Sequence, residues 1–123
     1  IIKTDKAPMP IGPYNQAILV NNTLYASGQI AINPATNELI SGNIKEETKQ
    51  VMENLAAVLD AAGMHFSNVV KCSIFISDMN DFTAINNIYG TYFDDDNAPA
   101  RETVQVAVLP KRVNVEISLI AVA

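Results

Sequence analysis

One long amphipathic stretch in the middle of the chain sets the first limit on the fold. Residues that would share one face of a helix recur there at three- and four-residue steps: Ile44, Thr48, Val51, Met52, Leu55, Val58, Leu59 and Ala62. Asn43 with Glu46 can form a capping box at the start, and Gly63 can take the left-handed conformation that ends a helix. A helix with a single apolar stripe covers only one face of a neighbouring layer.

Strand-like patterns precede this helix and follow it. Residues 16–21 and 23–30 are predicted to form two strands joined by a hairpin turn at Asn21-Asn22. A loop then opens at Asn33-Pro34. Residues 69–76 form a short segment that is rich in β-branched side chains and bounded by polar residues. This pattern predicts a third strand.

A second helix is predicted after that strand. Aromatic and aliphatic residues repeat there at helical spacing: Phe82, Ile85, Tyr89, Tyr92 and Phe93. Asp78 or Asn80 is available as the N-cap. The acidic run at residues 94–96 is expected to end the helix.

Two last strands, at about residues 102–109 and 113–122, flank a turn that contains Pro110 and are predicted to pair antiparallel. The element order is then ββαβαββ, an α+β fold with one mixed sheet and both helices on one face. A chain of 123 residues suits one domain, so residues 1–123 are expected to share one core.

The last two strands are expected to have an apolar and a polar face, because successive side chains in a strand point to opposite sides. The apolar side, expected to face the helices, comprises Val104, Val106, Val108, Val113, Val115, Ile117, Leu119 and Ala121. The opposite side then carries Arg101, Thr103, Gln105, Glu116 and Ser118. Ile120 and Val122 also lie on that side, so it combines polar and apolar side chains and suits neither solvent nor a core. A partner subunit packed against this face would account for the combination. We therefore expect an oligomer with polar pockets in its interfaces.

Arg101 and Glu116 are candidates for chemistry, because such residues are seldom placed in apolar strands unless each has a partner. A buried ion pair is one interpretation. With Gln105 opposite Glu116, however, Arg101 would lie about 13 Å away along the sheet, too far for an easy direct bridge. That gap suits a small anionic ligand, which Arg can hold through two hydrogen bonds. The pattern alone favours the ligand site and the structural pair equally.

Four other residues could have a functional or a structural role. Cys72 is predicted to be a buried, inert thiol in a strand, and His65 to be no more than a complement to a helix C-terminus. Tyr14 lies in a turn-rich segment and could form the wall of a pocket. Gly28 interrupts a strand-like run, which permits close approach by a ligand or neighbouring chain, although a packing role is equally plausible.

Composition disfavours several classes of function. A single Cys and a single His leave too few ligands for a zinc site of the Cys and His type. The net charge of −5, with eight basic residues spread along the chain, argues against nucleic-acid binding. No apolar run approaches the ~20 residues that cross a bilayer, and no secretory signal pattern is visible. We therefore expect a cytoplasmic protein that binds neither membrane nor nucleic acid.

Several short motifs, in order and spread over almost the entire chain, resemble the RidA/YjgF reactive-intermediate deaminase family: Ile11-Gly12-Pro13-Tyr14, Ser27-Gly28-Gln29, Asp78-Met79-Asn80-Asp81-Phe82, Ala98-Pro99-Ala100-Arg101 and Val115-Glu116-Ile117. The resemblance implies a chorismate-mutase-like fold and a homotrimer with three clefts between subunits. It also implies hydrolysis of 2-imino acids and their enamine tautomers, such as 2-iminopropanoate and 2-iminobutanoate, to 2-oxo acids and ammonia. These imines escape from pyridoxal-phosphate-dependent dehydratases, and no metal or organic cofactor is required.

The resemblance also assigns roles by position. It places Arg101 on the substrate carboxylate and Glu116 beside the attacking water. Around the ligand it places Tyr14, Gly28, Asn86 and the backbone of Thr103. In this sequence Thr103 and Glu102 stand where many relatives have Cys and Ser, and by alternation Glu102 should point away from Arg101.

Two other functions compete with the deaminase. The same clefts could bind 2-oxo acids without turnover, as in a regulatory protein. Some relatives are described as endoribonucleases or translation inhibitors, but the acidic charge and the lack of a His pair argue against that function here.

Overall fold

The computed structural model describes residues 1–123 and contains one five-stranded mixed sheet, one two-stranded sheet and two α-helices. In chain order the elements are β1 (Ala17–Val20), β2 (Thr23–Gln29), β3 (Ile32–Asn33), β4 (Glu38–Leu39), α1 (Ile44–Ala61), β5 (Val69–Ile76), α2 (Phe82–Gly90), β6 (Ala100–Gln105) and β7 (Val115–Val122). The order in the large sheet is β1-β2-β7-β5-β6, and β3 pairs with β4. The predicted α+β class is confirmed, with β3 and β4 as an addition.

The first hairpin forms as predicted. Asn21 and Asn22 have φ values of 49° and 65°, so two consecutive residues occupy the left-handed region. That combination matches the twist of the flanking strands in a two-residue hairpin turn, and Asn tolerates it better than most residues. β1 and β2 consequently pair in register from Ala17 opposite Ala26 to Val20 opposite Thr23.

Helix α1 begins and ends at the predicted signals. The side chain of Asn43 accepts hydrogen bonds from the backbone N–H groups of Lys45 and Glu46. Gly63 has a φ of 72°, a conformation that few residues other than glycine adopt without strain. The backbone N–H of Met64 donates to the carbonyl of Leu59 across this turn, which satisfies one of the free carbonyls at the helix end.

Helix α2 is shorter than predicted. Asp78 caps a 3-10 turn, Met79–Asp81, which leads directly into the helix. The helix ends at Gly90, before the acidic run, so the expectation that this run ends it is wrong. Tyr92 and Phe93 instead pack their rings against Phe66 at centroid distances of 5.1 and 5.4 Å.

The predicted antiparallel pair of the last two strands is wrong, because β5 lies between them. β6 runs parallel to β5 with Arg101 level with Cys72, whereas β7 runs antiparallel to β5 with Leu119 level with Cys72. A strand, a crossover helix and a second strand give a parallel pair, which here is β5-α2-β6. β7, which buries one complete side, takes the central position, and the more polar β6 lies at the edge.

Both helices lie against one face of the sheet. The main core joins buried residues of α1 and α2 to those of β2, β5 and β7: Leu24, Val51, Met52, Leu55, Val58, Leu59, Cys72, Ile74, Ile76, Ile85, Tyr89, Val115, Ile117, Leu119 and Ala121. Their positions on β7 confirm the predicted apolar side of that strand. Neither helix is long and apolar enough to cross a membrane.

The predicted faces of β6 are reversed. Residues level with each other on paired strands share a face, so Arg101, Thr103 and Gln105 lie with Cys72, Ile74 and Ile76 on the helix side. Val104 points to the other face and is 41% exposed, and Val108 is 59% exposed. Val106 packs against a separate small cluster of Ile30, Ile32, Leu109 and Val113. The error follows from assigning the alternating valines of this strand to the helix side, whereas they lie on the open face.

Candidate active site

A bulge in β2 forms the base of one half of the site. Ala26 is level with Leu119 and Gln29 with Ile117, so Ser27 and Gly28 together stand opposite Ser118 alone. Ser27 fastens this bulge to the segment before β1, because its Oγ donates to the carbonyl of Asn15 at 2.6 Å. The bulge therefore lies beside the turn-rich segment that contains Tyr14.

Glu116 lies directly against Gly28. A Cβ added to Gly28 would be 2.7 Å from Oε2 and 2.9 Å from Cγ of Glu116, closer than real contacts allow. Only glycine leaves room for this carboxylate side chain. Of the two roles considered for Gly28, the structure shows the packing role within the protomer, and the side chain that packs against it is Glu116.

The carboxylate of Glu116 has no ionic or hydrogen-bonding partner. The one ion pair of the structure joins Lys71 and Glu102, which excludes a pair between Arg101 and Glu116 within the protomer. Burial raises the pKa of Glu116 above its usual value of 4.5. A half-buried carboxylate with a raised pKa is suited to accept a proton from water.

Tyr14 lines a small cavity that Gly28, the residue in contact with Glu116, also lines. The cavity has a volume of about 30 Å³ and is formed by Pro8, Met9, Pro10, Ile11, Tyr14, Gln16, Gly28, Gln29, Ile30 and Ile32. Tyr14 is 47% exposed, so its ring also borders solvent. Tyr14, Gly28 and Glu116 therefore form one group of candidate site residues, which we call the Glu116 half-site.

Arg101 lies elsewhere, on the helix side of the sheet. Its Cζ atom is 5.0 Å from the ring centroid of Tyr89 and 5.7 Å from that of Phe82. Asn86 lies between these two residues on the same face of α2, four positions after Phe82 and three before Tyr89. The guanidinium has no hydrogen bond or ion pair in the structure, so its donors are free for an anionic ligand.

Thr103 adds one backbone donor, its N–H group, to the Arg101 side of the site. The N–H of Val106 donates to the carbonyl of Ile76 in β5, and successive N–H groups of a strand alternate in direction. The N–H of Thr103 therefore points to the open edge of β6. Its hydroxyl is buried without a partner, so the backbone is the accessible part of this residue. Arg101, Asn86 and Thr103 form the second group, the Arg101 half-site.

Glu102 points away from Arg101, as predicted. Its Oε1 lies 2.7 Å from Nζ of Lys71, and its other oxygen accepts a hydrogen bond from Ser73. The hydrogen bond from Lys71 lowers the pKa of Glu102 most, and the hydrogen bond from Ser73 lowers it further. The carboxylate therefore stays charged. This negative charge is neutralised on the opposite face of the sheet.

Cys72 and His65 belong to neither half-site. Cys72 is fully buried, which confirms its predicted burial, and burial raises the pKa of its thiol. His65 begins the 3-10 turn Phe66–Asn68 beyond α1. No group of three or more His, Cys, Asp or Glu residues is placed to hold a metal ion.

The predicted shared face of Arg101 and Glu116 is wrong. Arg101 is level with Leu119, two strands across and three residues along β7 from Glu116. This places the two Cα atoms roughly 14 Å apart, with side chains on opposite faces of the sheet. The residues of each half-site were identified from the sequence, but their division between the two faces was not.

The contribution of Phe82 and Tyr89 to the site was missed. Both were assigned to an apolar helix stripe, and Tyr89 is indeed buried in the core. The available signal was a seven-residue spacing, which puts both rings on one side of α2, together with an arginine in the following strand.

Comparisons with known proteins agree with the fold. The family model described as Endoribonuclease L-PSP matches residues 4–123. A RutC family protein of Synechocystis sp. is 54% identical over 99% of this chain and 95% of its own length. The 2-iminobutanoate/2-iminopropanoate deaminase of Rattus norvegicus is 50% identical over 99% of this chain and 88% of its own.

Solved structures of related proteins have the same fold as this chain. A Yersinia pestis protein of the conserved Rid family, described as of unknown function, superposes with a TM-score of 0.97 at 48% identity and covers 100% of this chain and 98% of its own. Escherichia coli TdcF with bound serine superposes with a TM-score of 0.94 at 41% identity and covers 100% and 98%. This chain therefore belongs to the RidA/YjgF family.

Proposed function

We propose that this protein hydrolyses small 2-imino acids, such as 2-iminopropanoate and 2-iminobutanoate, to 2-oxo acids and ammonia. The observation that carries the proposal is the presence of two complementary unpaired charges: the free guanidinium of Arg101 and the half-buried carboxylate of Glu116. The guanidinium suits the substrate carboxylate, and the carboxylate of Glu116 suits the water that attacks the imine.

The active unit is an oligomer in which these charges come from two subunits. Within one protomer they lie on opposite faces of the sheet, so a ligand of three or four carbons cannot contact both. The face that carries Glu116 also exposes Tyr25, Val104 and Val122, an apolar surface that a second copy would cover. We propose a homotrimer with three clefts, each formed by Arg101 of one subunit and Glu116 of the next.

The reaction needs only the groups of these two half-sites. Arg101 holds the carboxylate of the iminium substrate, and Glu116 accepts a proton as the water oxygen bonds to C2. Glu116 then passes that proton to the amino nitrogen, the C–N bond breaks and ammonia leaves. Loss of the remaining hydroxyl proton forms the carbonyl of the 2-oxo acid. The raised pKa of Glu116 makes its carboxylate a stronger base than an exposed one, which favours the first of these proton transfers.

The relatives support this reaction class. Proteins of Rattus norvegicus and Homo sapiens that are 50% and 48% identical to this chain are named 2-iminobutanoate/2-iminopropanoate deaminases. TdcF, at 41% identity, was crystallised with serine, a three-carbon amino acid whose carboxylate is of the kind that Arg101 would bind. We expect the protein to act in the cytoplasm beside pyridoxal-phosphate-dependent serine and threonine dehydratases, where such imines arise.

A coupled assay tests the proposal. Purified protein added to a threonine dehydratase reaction should speed the release of 2-oxobutanoate, and Arg101→Ala should abolish the effect because the substrate carboxylate loses its partner. Lys111→Ala, which removes an exposed cation from a turn, is the matched control and should act like wild type. Wild-type protein that binds 2-oxobutanoate without speeding its release would instead show a non-catalytic binding protein.

A further inference from the structure

The orientation of Arg101 depends on the two aromatic rings of α2. Its guanidinium lies 5.0 Å from the Tyr89 centroid and 5.7 Å from the Phe82 centroid, both within the range of a cation–π contact. No hydrogen bond or ion pair to the protein fixes the guanidinium. Arginine has a long, flexible side chain, so without the rings it would sample many orientations.

A guanidinium held by rings is well prepared for an anion. Stacking uses its flat, weakly hydrated face, so its N–H groups at the edge stay free to form two parallel hydrogen bonds with a carboxylate. A side chain that is already ordered loses less conformational freedom on binding. An arginine held by carboxylates instead would have its donors occupied and its charge neutralised.

We propose that Tyr89 and Phe82 are positioning residues, whose rings hold Arg101 in the orientation that binds the substrate carboxylate. The inference rests on the function proposed above and adds two residues that touch no substrate themselves. It assigns them an effect on substrate affinity that is transmitted through Arg101.

The ring of Tyr89, and not its hydroxyl, carries this role. The hydroxyl is buried without a hydrogen-bond partner of good geometry, although the Cys72 thiol, a weak partner, lies beside it. Burial raises the pKa of Tyr89, so the phenol stays neutral and adds no charge beside Arg101. Replacing the hydroxyl with hydrogen should therefore leave the contact to Arg101 in place.

The experiment compares KM and kcat in the deaminase assay across four variants. Tyr89→Leu and Phe82→Leu each remove one ring and should raise KM about 3- to 30-fold with kcat changed less than threefold. Tyr89→Phe keeps the ring and should bring KM back to within about twofold of wild type. Tyr92→Leu is the matched control, because Tyr92 packs against Phe66 and is not over Arg101, so its KM should not change.

Inhibition constants separate an effect on Arg101 from general damage to the fold. The ring deletions should weaken inhibition by 2-oxobutanoate and leave inhibition by its neutral analogue 2-oxobutanamide unchanged, because only the former needs the guanidinium. Equal weakening of both compounds would overturn the proposal. So would a Tyr89→Phe variant as impaired as Tyr89→Leu, or an unchanged KM in both ring deletions.

Failure of this inference can be told from failure of the proposed function. If wild-type protein does not deaminate, binding of 2-oxobutanoate measured by calorimetry replaces KM, and the same ranking of variants is expected. If wild type deaminates and the ring deletions bind the carboxylate normally, the function stands and the positioning role is wrong. Phe82 is only half-buried, so Phe82→Leu is expected to disturb the fold less than Tyr89→Leu. If Tyr89→Leu does not fold, the KM of Phe82→Leu tests the positioning role.

Discussion

At the scale of single residues, the geometry of the Glu116 half-site depends on the absence of one methyl group. Gly28 lies in the bulge of β2, and the side chain of Glu116 occupies the volume in which any other residue would have its Cβ. The bulge adds a residue that has no partner on β7, and this brings the backbone beneath the carboxylate. The carboxylate of Glu116 is thereby held without a charged partner. Such a partner would lower its pKa and its basicity.

Gly28→Ala should therefore impair catalysis more than stability. Its Cβ would force the Glu116 side chain aside, and a displaced base is expected to lower kcat at least about tenfold. The melting temperature should change little, because the displaced atoms belong to a flexible side chain. Gly90→Ala, where nothing lies within 4 Å, is the control and should keep full activity. Normal kcat in Gly28→Ala would show that the carboxylate is not held against this backbone.

The pKa of Glu116 predicts opposite effects of pH on activity and stability. Because burial raises this pKa above 4.5, kcat/KM should fall as the pH drops through the raised value and the base is protonated. For stability the sign is reversed: the folded state binds this proton more tightly than the unfolded state, so stability is lost as the pH rises. Glu116→Gln should thus melt at an equal or higher temperature at pH 7 while losing activity. A lower melting temperature than wild type at pH 7 would contradict the assignment.

Residue identities in the site were predictable from the sequence, but the positions of their side chains were not. An arginine and a glutamate in apolar strands are visible as exceptions to a pattern. Which face each occupies depends on strand order, because one register error moves every side chain to the other side. The hydrophobic alternation of β6 is misleading, because Val104 lies on the open face of the sheet and not against the helices.

At the scale of elements, α1 supports the site through one buried amide. Nδ2 of Asn54 donates to the carbonyls of Ile30 and Ile32 at 3.1 and 3.0 Å. Ile30 follows β2 directly and Ile32 is the first residue of β3, so both come just after the bulge at Gly28, and both isoleucines line the cavity beside Tyr14. The amide therefore fixes the backbone that shapes the Glu116 half-site.

Asn54→Asp should destabilise the protein in a pH-dependent way. A carboxylate facing two carbonyls cannot donate. The carbonyl of Ile30 keeps its hydrogen bond from the N–H of Ile32, so the loss of the two amide bonds should cost about 1–3 kcal/mol in all. The new acid should have a raised pKa in the folded state, so the loss of stability grows as the pH rises through that value. Denaturant unfolding at pH 5 and pH 8 measures this difference. Gln50→Ala, which removes only the donor to Oδ1 of Asn54, should cost less, and a pH-independent loss in Asn54→Asp would refute the role of the amide.

The helices were easier to predict than the strands because their signals are local. Asn43 and Gly63 act on backbone groups within one turn, and the structure uses both. The β3–β4 hairpin has only two residues per strand, too few for a recognisable alternation. The pairing of β6 with β5 joins segments separated by α2, and it follows from the strand–helix–strand order and not from a local signal.

At the scale of the whole molecule, the sheet has one face covered by helices and one that mixes charge with apolar surface. Tyr25, Val104 and Val122 are exposed on that open face beside the ion pair of Lys71 and Glu102. Substitution of Ile120 by Lys, in the middle of this face, should disrupt assembly and abolish activity together. Sedimentation velocity on the same samples would show whether activity is lost with the oligomer, and an active monomer would exclude sites shared between subunits.

Mixing two inactive variants tests whether each site is shared. Arg101→Ala and Glu116→Gln homo-oligomers should both be inactive, since every cleft lacks one of its two charges. In mixed oligomers a cleft is complete when a Glu116→Gln subunit supplies Arg101 and its neighbour, an Arg101→Ala subunit, supplies Glu116. Random mixing at equal amounts makes about one quarter of the clefts complete in a closed ring, so activity should return to about that fraction of wild type. Differently tagged subunits and native mass spectrometry would confirm exchange. Mixed oligomers with no activity would place both residues of each site in one subunit, which would require the sheet to rearrange from the geometry seen here.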